Sequence, residues 1–144
     1  MKRLLYIPLV LVWLLSCKKE SADDPMQFGA VFKTIAGPWH AIEVETSSLD
    51  NKSTWEPVAA AKSDSLIFRN DGVVLNADGT PRCCAPATLI INGQLLDVKP
   101  QTVLPNNPQC ELMNCITCPT WEISWNDDQL IIGTCASPRM KYVR

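Results

Sequence analysis

One histidine, His40, is present in 144 residues, and no cluster of basic side chains accompanies it. A Ser-His-Asp relay would have to be built on His40, and no Gly-x-Ser-x-Gly elbow supports one. His40 therefore reads as a surface residue, on the strand face opposite Trp39. Without a basic patch, a mildly acidic chain is a poor partner for nucleic acid. No apolar run reaches the roughly 20 residues of a membrane-spanning helix. No long helical period, βαβ unit or internal repeat is visible. These absences point away from an enzyme and from a bound cofactor or metal.

The N-terminus carries an address. Lys2 and Arg3 precede an apolar run from Leu4 to Leu15, the layout of a secretory signal. Leu14-Leu15-Ser16-Cys17 resembles the lipobox of bacterial lipoproteins. That resemblance implies a signal peptide over 1–16, removal before Cys17, and a lipid anchor on Cys17. Loss of Lys2 and Arg3 leaves 11 basic against 15 acidic side chains, a net charge of −4. Residues 17–27 (Lys-Lys-Glu-Ser-Ala-Asp-Asp-Pro at their centre) read as a flexible polar tether. Lys18 stands where an inner-membrane retention signal would carry Asp. By resemblance to sorted lipoproteins, the outer membrane is expected, with the domain facing the periplasm or the cell surface.

The remainder, 28–144, reads as one all-β domain after a short helix. Phe28, Val31, Phe32 and Ile35 recur at helical spacing and stop at Gly37-Pro38. Strands are expected at Trp39 to Glu45, Trp55 to Val58, Ser65 to Arg69, Val73 to Asn76, Leu89 to Ile91, Gln94 to Val98, Trp121 to Trp125, Leu130 to Ile132 and Arg139 to Val143. Asp71-Gly72, Asn92-Gly93 and Asn126-Asp127 sit between apolar runs as hairpin turns. Two-residue turns would pair Phe68 with Leu75, Leu89 with Leu96, and Ile123 with Leu130. Each hairpin then has one apolar face. An antiparallel meander of about eight strands must close or stack to protect its edges.

Seven cysteines are present, and a lipidated Cys17 leaves six: Cys83, Cys84, Cys110, Cys115, Cys118 and Cys135. An even number in an exported chain reads as a disulfide framework. The Asn126-Asp127 register sets Cys118 opposite Cys135. Cys83 and Cys84 would then hold the loop from Pro100 to Pro119 through Cys110 and Cys115, in either order. Cys110-x₄-Cys115-x₂-Cys118 with Cys135 also has the spacing of a plant-type two-iron cluster. The loop lacks the small residues such a cluster needs, and an exported chain meets no assembly machinery. Zinc on the same thiols and a Cys115-x-x-Cys118 redox pair are the remaining alternatives.

Ile35-Ala36-Gly37-Pro38-Trp39 resembles the Gly-x-Trp opening of lipocalins. Phe68-x-x-Asp71-Gly72 and Trp121-x-Ile123 are similar to motifs of small lipocalin-like lipoproteins of Gram-negative bacteria. The resemblance implies a small β-barrel closed at one end by the N-terminal helix. It also implies an arginine, Arg139 or Arg144, over Trp39, so Gly37, Trp39 and Arg139 are its structural residues here. The cysteine-rich loop is an addition to that pattern. Two functional readings follow. The first is a non-enzymatic, lipid-anchored envelope lipoprotein holding a small apolar ligand, with Trp55 and Trp125 as candidate contacts. The alternative is an interaction or inhibitor module that meets an envelope protein through residues 100–119.

Overall fold

The computed structural model describes residues 25–47, 52–59, 63–116, 118–135 and 137–144. The signal segment, Cys17, the tether up to residue 24 and the side chain of Phe28 lie outside the described residues. The helix α1 (Pro25–Ile35) opens with proline, whose missing N–H is no loss in a first turn. It thus takes in three positions that the sequence reading gave to the tether. Phe32 and Ile35 are buried and Val31 packs beside them, so the expected apolar stripe is the buried one.

The helix stops where Gly37 takes φ +117° and Pro38 follows. Its last carbonyls are capped by side chains. Trp39 Nε1 donates to Ile35 O at 2.7 Å. Arg144 donates to Thr34 O at 2.7 Å and to Ala36 O at 3.3 Å, with its guanidinium 4.7 Å from the Trp39 ring. A cation there also faces the negative end of the helix dipole. The expectation of Arg139 in this role is corrected. Met140 and Tyr142 of the last strand face the core, which turns Arg139 outward, where it forms a two-point pair with Glu45 at 2.6 Å. Arg144, just past the strand's end, reaches the helix instead.

Nine strands follow among the described residues: β1 (Gly37–Ser47), β2 (Ser53–Pro57), β3 (Ser65–Phe68), β4 (Val74–Asn76), β5 (Thr88–Ile91), β6 (Gln94–Asp97), β7 (Thr120–Asn126), β8 (Gln129–Thr134) and β9 (Ser137–Val143). They form one strongly curled sheet, a half-barrel, in the order β4-β3-β1-β9-β8-β7-β5-β6. The long β1 carries β3 along its first half and β2 along its second half. The concave face is apolar: Trp39, Leu66, Phe68, Leu89, Leu96 and Leu130 are all buried there. Each such side chain contributes about 1.5–3 kcal/mol relative to exposure. The meander is interrupted in three places: β3 pairs with β1 rather than β2, β4 and β5 are not neighbours, and β7 lies parallel to β5 rather than beside β6. The long 98–119 connection allows this, since a parallel neighbour needs a crossover of about a dozen residues or more.

The Asn92-Gly93 hairpin has the expected register, with Ile91 opposite Gln94 and Leu89 opposite Leu96. The other two turns differ. Phe68 lies opposite Val74, not Leu75, because residues 70–72 form a three-residue loop with Gly72 at φ +81°. At the third, Asn126 remains in its strand opposite Gln129 and the turn is Asp127-Asp128. Ile123 therefore faces Ile132, not Leu130, and Trp125 gains Leu130 as an apolar partner. Here the pairing shifts by two residues, which keeps the same faces inward; at Phe68 it shifts by one, so Val74 takes the buried place expected for Leu75, which is half-buried.

Loops bridge the seam between the β4 and β6 edges. Leu75 pairs with Pro81 in an isolated bridge, and Arg82 N donates to Val74 O, so β4 is not left bare. Asp71, buried in the β3–β4 turn, accepts from Gln101 N at 2.9 Å, Val73 N at 3.3 Å and Arg69 Nη2 at 2.6 Å. Arg69 also donates to Thr102 Oγ1 at 2.7 Å. Burial would raise the Asp71 carboxyl, but the two amides and the guanidinium outweigh it and hold its pKa below the usual aspartate value. Three disulfides fasten the chain: Cys83–Cys110 and Cys84–Cys115 tie the segment after β4 to the loop after β6, and Cys118–Cys135 joins the ends of the neighbouring β7 and β8. Their sequence separations of 27, 31 and 17 residues correspond to roughly 3–4 kcal/mol each in the chain-entropy picture.

Candidate functional site

The end of the half-barrel away from α1 holds a cleft of about 300 Å³. One wall comes from the concave sheet face: Trp121 at the start of β7, Ile132 of β8, and Met140 and Tyr142 of β9. The other comes from the cystine loop, with Met113 and Ile116 over the mouth. The disulfides explain why the loop sits there. Cys83 and Cys84 are adjacent in the chain and hold the loop at two points, Cys110 and Cys115. Cys118–Cys135 ties the chain just before β7 to the chain just after β8. The 3₁₀ turn Pro108–Leu112 is capped by Asn107, whose side chain accepts from Gln109 N and donates to Pro81 O at 2.8 Å.

The cleft has a polar floor. Arg82 grips Asp64 with both arms of its guanidinium, Nη1 to Oδ1 at 3.1 Å and Nη2 to Oδ2 at 2.5 Å. Tyr142 OH donates to Asp64 Oδ2 at 3.4 Å. Burial, then the Asp64 carboxylate, push the phenol well above its ordinary pKa, so it stays a neutral hydroxyl at physiological pH. Asp64 is fixed by backbone: its carbonyl accepts from Ala41 N at 2.8 Å.

The chain matches no protein family, no curated protein and no solved structure. The cleft is therefore read from its own geometry.

The tryptophans expected at a ligand lie elsewhere. Trp55 lies opposite Glu45 on β2, half-buried, with Lys141 Nζ 4.7 Å and the Arg139 guanidinium 6.0 Å from its ring. There its ring meets the charged ends of two cations from β9. Trp125 packs against the core, and its Nε1 is buried with no partner among the described residues. Trp121, buried in the core cluster, is the tryptophan that also lines the cleft. His40 Nδ1 lies 2.8 Å from Ser65 Oγ across the exposed β1–β3 pair. This is a cross-strand surface contact, and neither residue lines the cleft. All four thiols of the cluster and zinc readings, and both of the Cys-x-x-Cys pair, are spent in disulfides.

Asp64, Arg82 and Tyr142 were not selected from sequence. They are 18 and 78 residues from one another in the contacts that join them, and no local pattern marks such pairs. The nearest signal was compositional: an aromatic strand start directly after a cystine-rich loop.

Proposed function

We propose that this chain is a non-enzymatic, lipid-anchored envelope lipoprotein whose half-barrel holds a small, mainly apolar molecule. The observation that carries the binding reading is the cleft: an apolar sheet face roofed by a loop that three disulfides hold open above it. Ligand sites are typically concave, mostly apolar and few in polar groups, and this one fits that description. The anchor reading is supported by the lipobox and by cysteine count. Six of seven cysteines are paired, which leaves Cys17 outside the bridges. An oxidising compartment and an outer-membrane position accord with those bridges. The lipocalin-like character rests on the Gly37–Trp39 opening, with Arg144 in the role of the closing arginine.

A second reading is favoured by one observation. Leu112, Met113 and Ile116 are 90, 55 and 71% exposed on the cystine loop. Such residues can meet a protein as well as guard a cleft. One experiment tests the anchor and a second separates the two readings. Metabolic labelling with an alkyne fatty acid should mark the wild type and not Cys17→Ala, and an unlabelled wild type would remove the anchor. Binding of the neutral probe N-phenyl-1-naphthylamine to the oxidised protein should be lost in Ile116→Asp, which sets a carboxylate at the cleft mouth. Absence of probe binding in the wild type, together with capture of an envelope protein that Ile116→Asp abolishes, would favour the interaction reading instead.

A further inference from the structure

Among the described residues, the cleft's only charged side chains, Asp64 and Arg82, are spent on each other. Resting on the ligand-cleft reading above, we propose that the site selects uncharged amphiphiles, an apolar body of about ten heavy atoms ending in one hydroxyl, and discriminates against carboxylates and ammonium ions of the same size.

The argument is one of charge balance in a restricted space. Both carboxylate oxygens of Asp64 accept from Arg82, and the guanidinium presents two of its donors to that one partner. An anionic ligand at Arg82 would set a like charge beside Asp64, and a cationic one at Asp64 would set a like charge beside Arg82. Either adds repulsion at a pair whose two charges already balance. A neutral hydroxyl brings no such repulsion. Tyr142 donates to Asp64 and its oxygen keeps acceptor capacity, so a ligand hydroxyl can donate to it. The remaining polar lining, Asn114, Thr134 and Ser137, is uncharged. Along the body, Trp121, Ile132 and Met113 offer aromatic, aliphatic and thioether surface with no polar demand. The cleft's volume of about 300 Å³ equals roughly ten groups at the ≈30 Å³ share of a water molecule.

The test uses the full mature chain with its disulfides intact, carrying Cys17→Ala so that no acyl chain competes. N-phenyl-1-naphthylamine is bound at pH 7 and displaced by 1-nonanol, nonanoate or nonylammonium. Nonanol should displace the probe at a free concentration at least ten-fold below either ion. Tyr142→Phe should weaken nonanol several-fold and leave the probe itself bound. Asp64→Asn, which frees Arg82, should move the preference to nonanoate, and Arg82→Met should move it to nonylammonium. If the probe binds and either ion matches nonanol in the wild type, the selectivity is refuted and the cleft stands. An unchanged ranking in a folded Asp64→Asn or Arg82→Met protein refutes it as well. If those variants do not fold, the wild-type ranking decides alone. A probe that never binds overturns the cleft itself, and this proposal with it.

Discussion

Gly72→Ala tests how the helix is seated on the β3–β4 turn. Gly72 has φ +81°, and a Cβ built there would lie 2.7 Å from two ring carbons of Phe32. Two costs should combine. An L-residue in the left-handed region costs about 1–2 kcal/mol. Phe32 is buried, so its ring can yield only by disturbing the core, and such overpacking costs about 1–3 kcal/mol. The expected loss is therefore about 2–5 kcal/mol. Gly79→Ala is the control, because Gly79 has nearly the same φ, +82°, and no described atom within 4 Å of its would-be Cβ. It should lose only the about 1–2 kcal/mol backbone part. Phe32→Leu removes the ring carbons that collide. In that background the Gly72→Ala penalty should fall to the Gly79→Ala value. Guanidinium unfolding followed by tryptophan fluorescence, with disulfides intact, reads every variant. Equal penalties for Gly72→Ala and Gly79→Ala in the wild type would refute the contact, as would an undiminished Gly72→Ala penalty in the Phe32→Leu background.

Three further outcomes follow from the seam, the helix end and the roof. Asp71→Asn should cost about 2–3 kcal/mol at pH 7, since it weakens charge-assisted bonds from Gln101, Val73 and Arg69. The folded Asp71 pKa is depressed, so its contribution is complete above the unfolded value near 4 and is lost as pH falls below it. Urea unfolding between pH 6 and pH 2 should therefore show a shallower acid loss in Asp71→Asn than in the wild type. Arg144→Ala should lose about 1–2 kcal/mol through the uncapped carbonyls and the stacked Trp39, while Arg139→Ala, on an exposed pair, should lose about 0–1 kcal/mol by thermal unfolding. The double variant Cys84→Ala, Cys115→Ala should lose roughly 3–4 kcal/mol in the same denaturation assay and should weaken probe binding, because Met113 and Ile116 lose a fixed position.

Much of the architecture was legible because local chemistry states it. Asn92-Gly93 demands positive φ in a two-residue turn, and Asn92 and Gly93 adopt +48° and +84°. The alternation of Leu89, Ile91 and Leu96 marks one face, and that face is buried. The pairing of Cys118 with Cys135 was also readable, although the strand register that suggested it is off by two residues. Asp71-Gly72 misled for a physical reason. A buried carboxylate with a partner 30 residues away at Gln101 decides that loop, and such a partner leaves no local trace. The parallel β5–β7 pair was hidden by the 98–119 connection, whose path depends on tertiary contacts. The site was the least legible part. Trp55 and Trp125 stood out as large aromatics near turns, but outward orientation and core packing place them elsewhere. The cleft lies between the sheet face at Trp121 and a loop that the disulfides tie down, a juxtaposition with no local trace. Its Asp64–Arg82–Tyr142 floor assembles from three separate stretches of chain.

The cleft and its disulfide-held roof are tested most directly by native mass spectrometry of the protein isolated from its own envelope. The expected spectrum shows a polypeptide six hydrogens lighter than its fully reduced form, one acylated cysteine, and a small neutral non-covalent adduct that departs on unfolding and is missing from Ile116→Asp. A bare wild-type polypeptide, with the bridges present and no adduct under conditions that preserve the fold, would contradict the ligand-holding account.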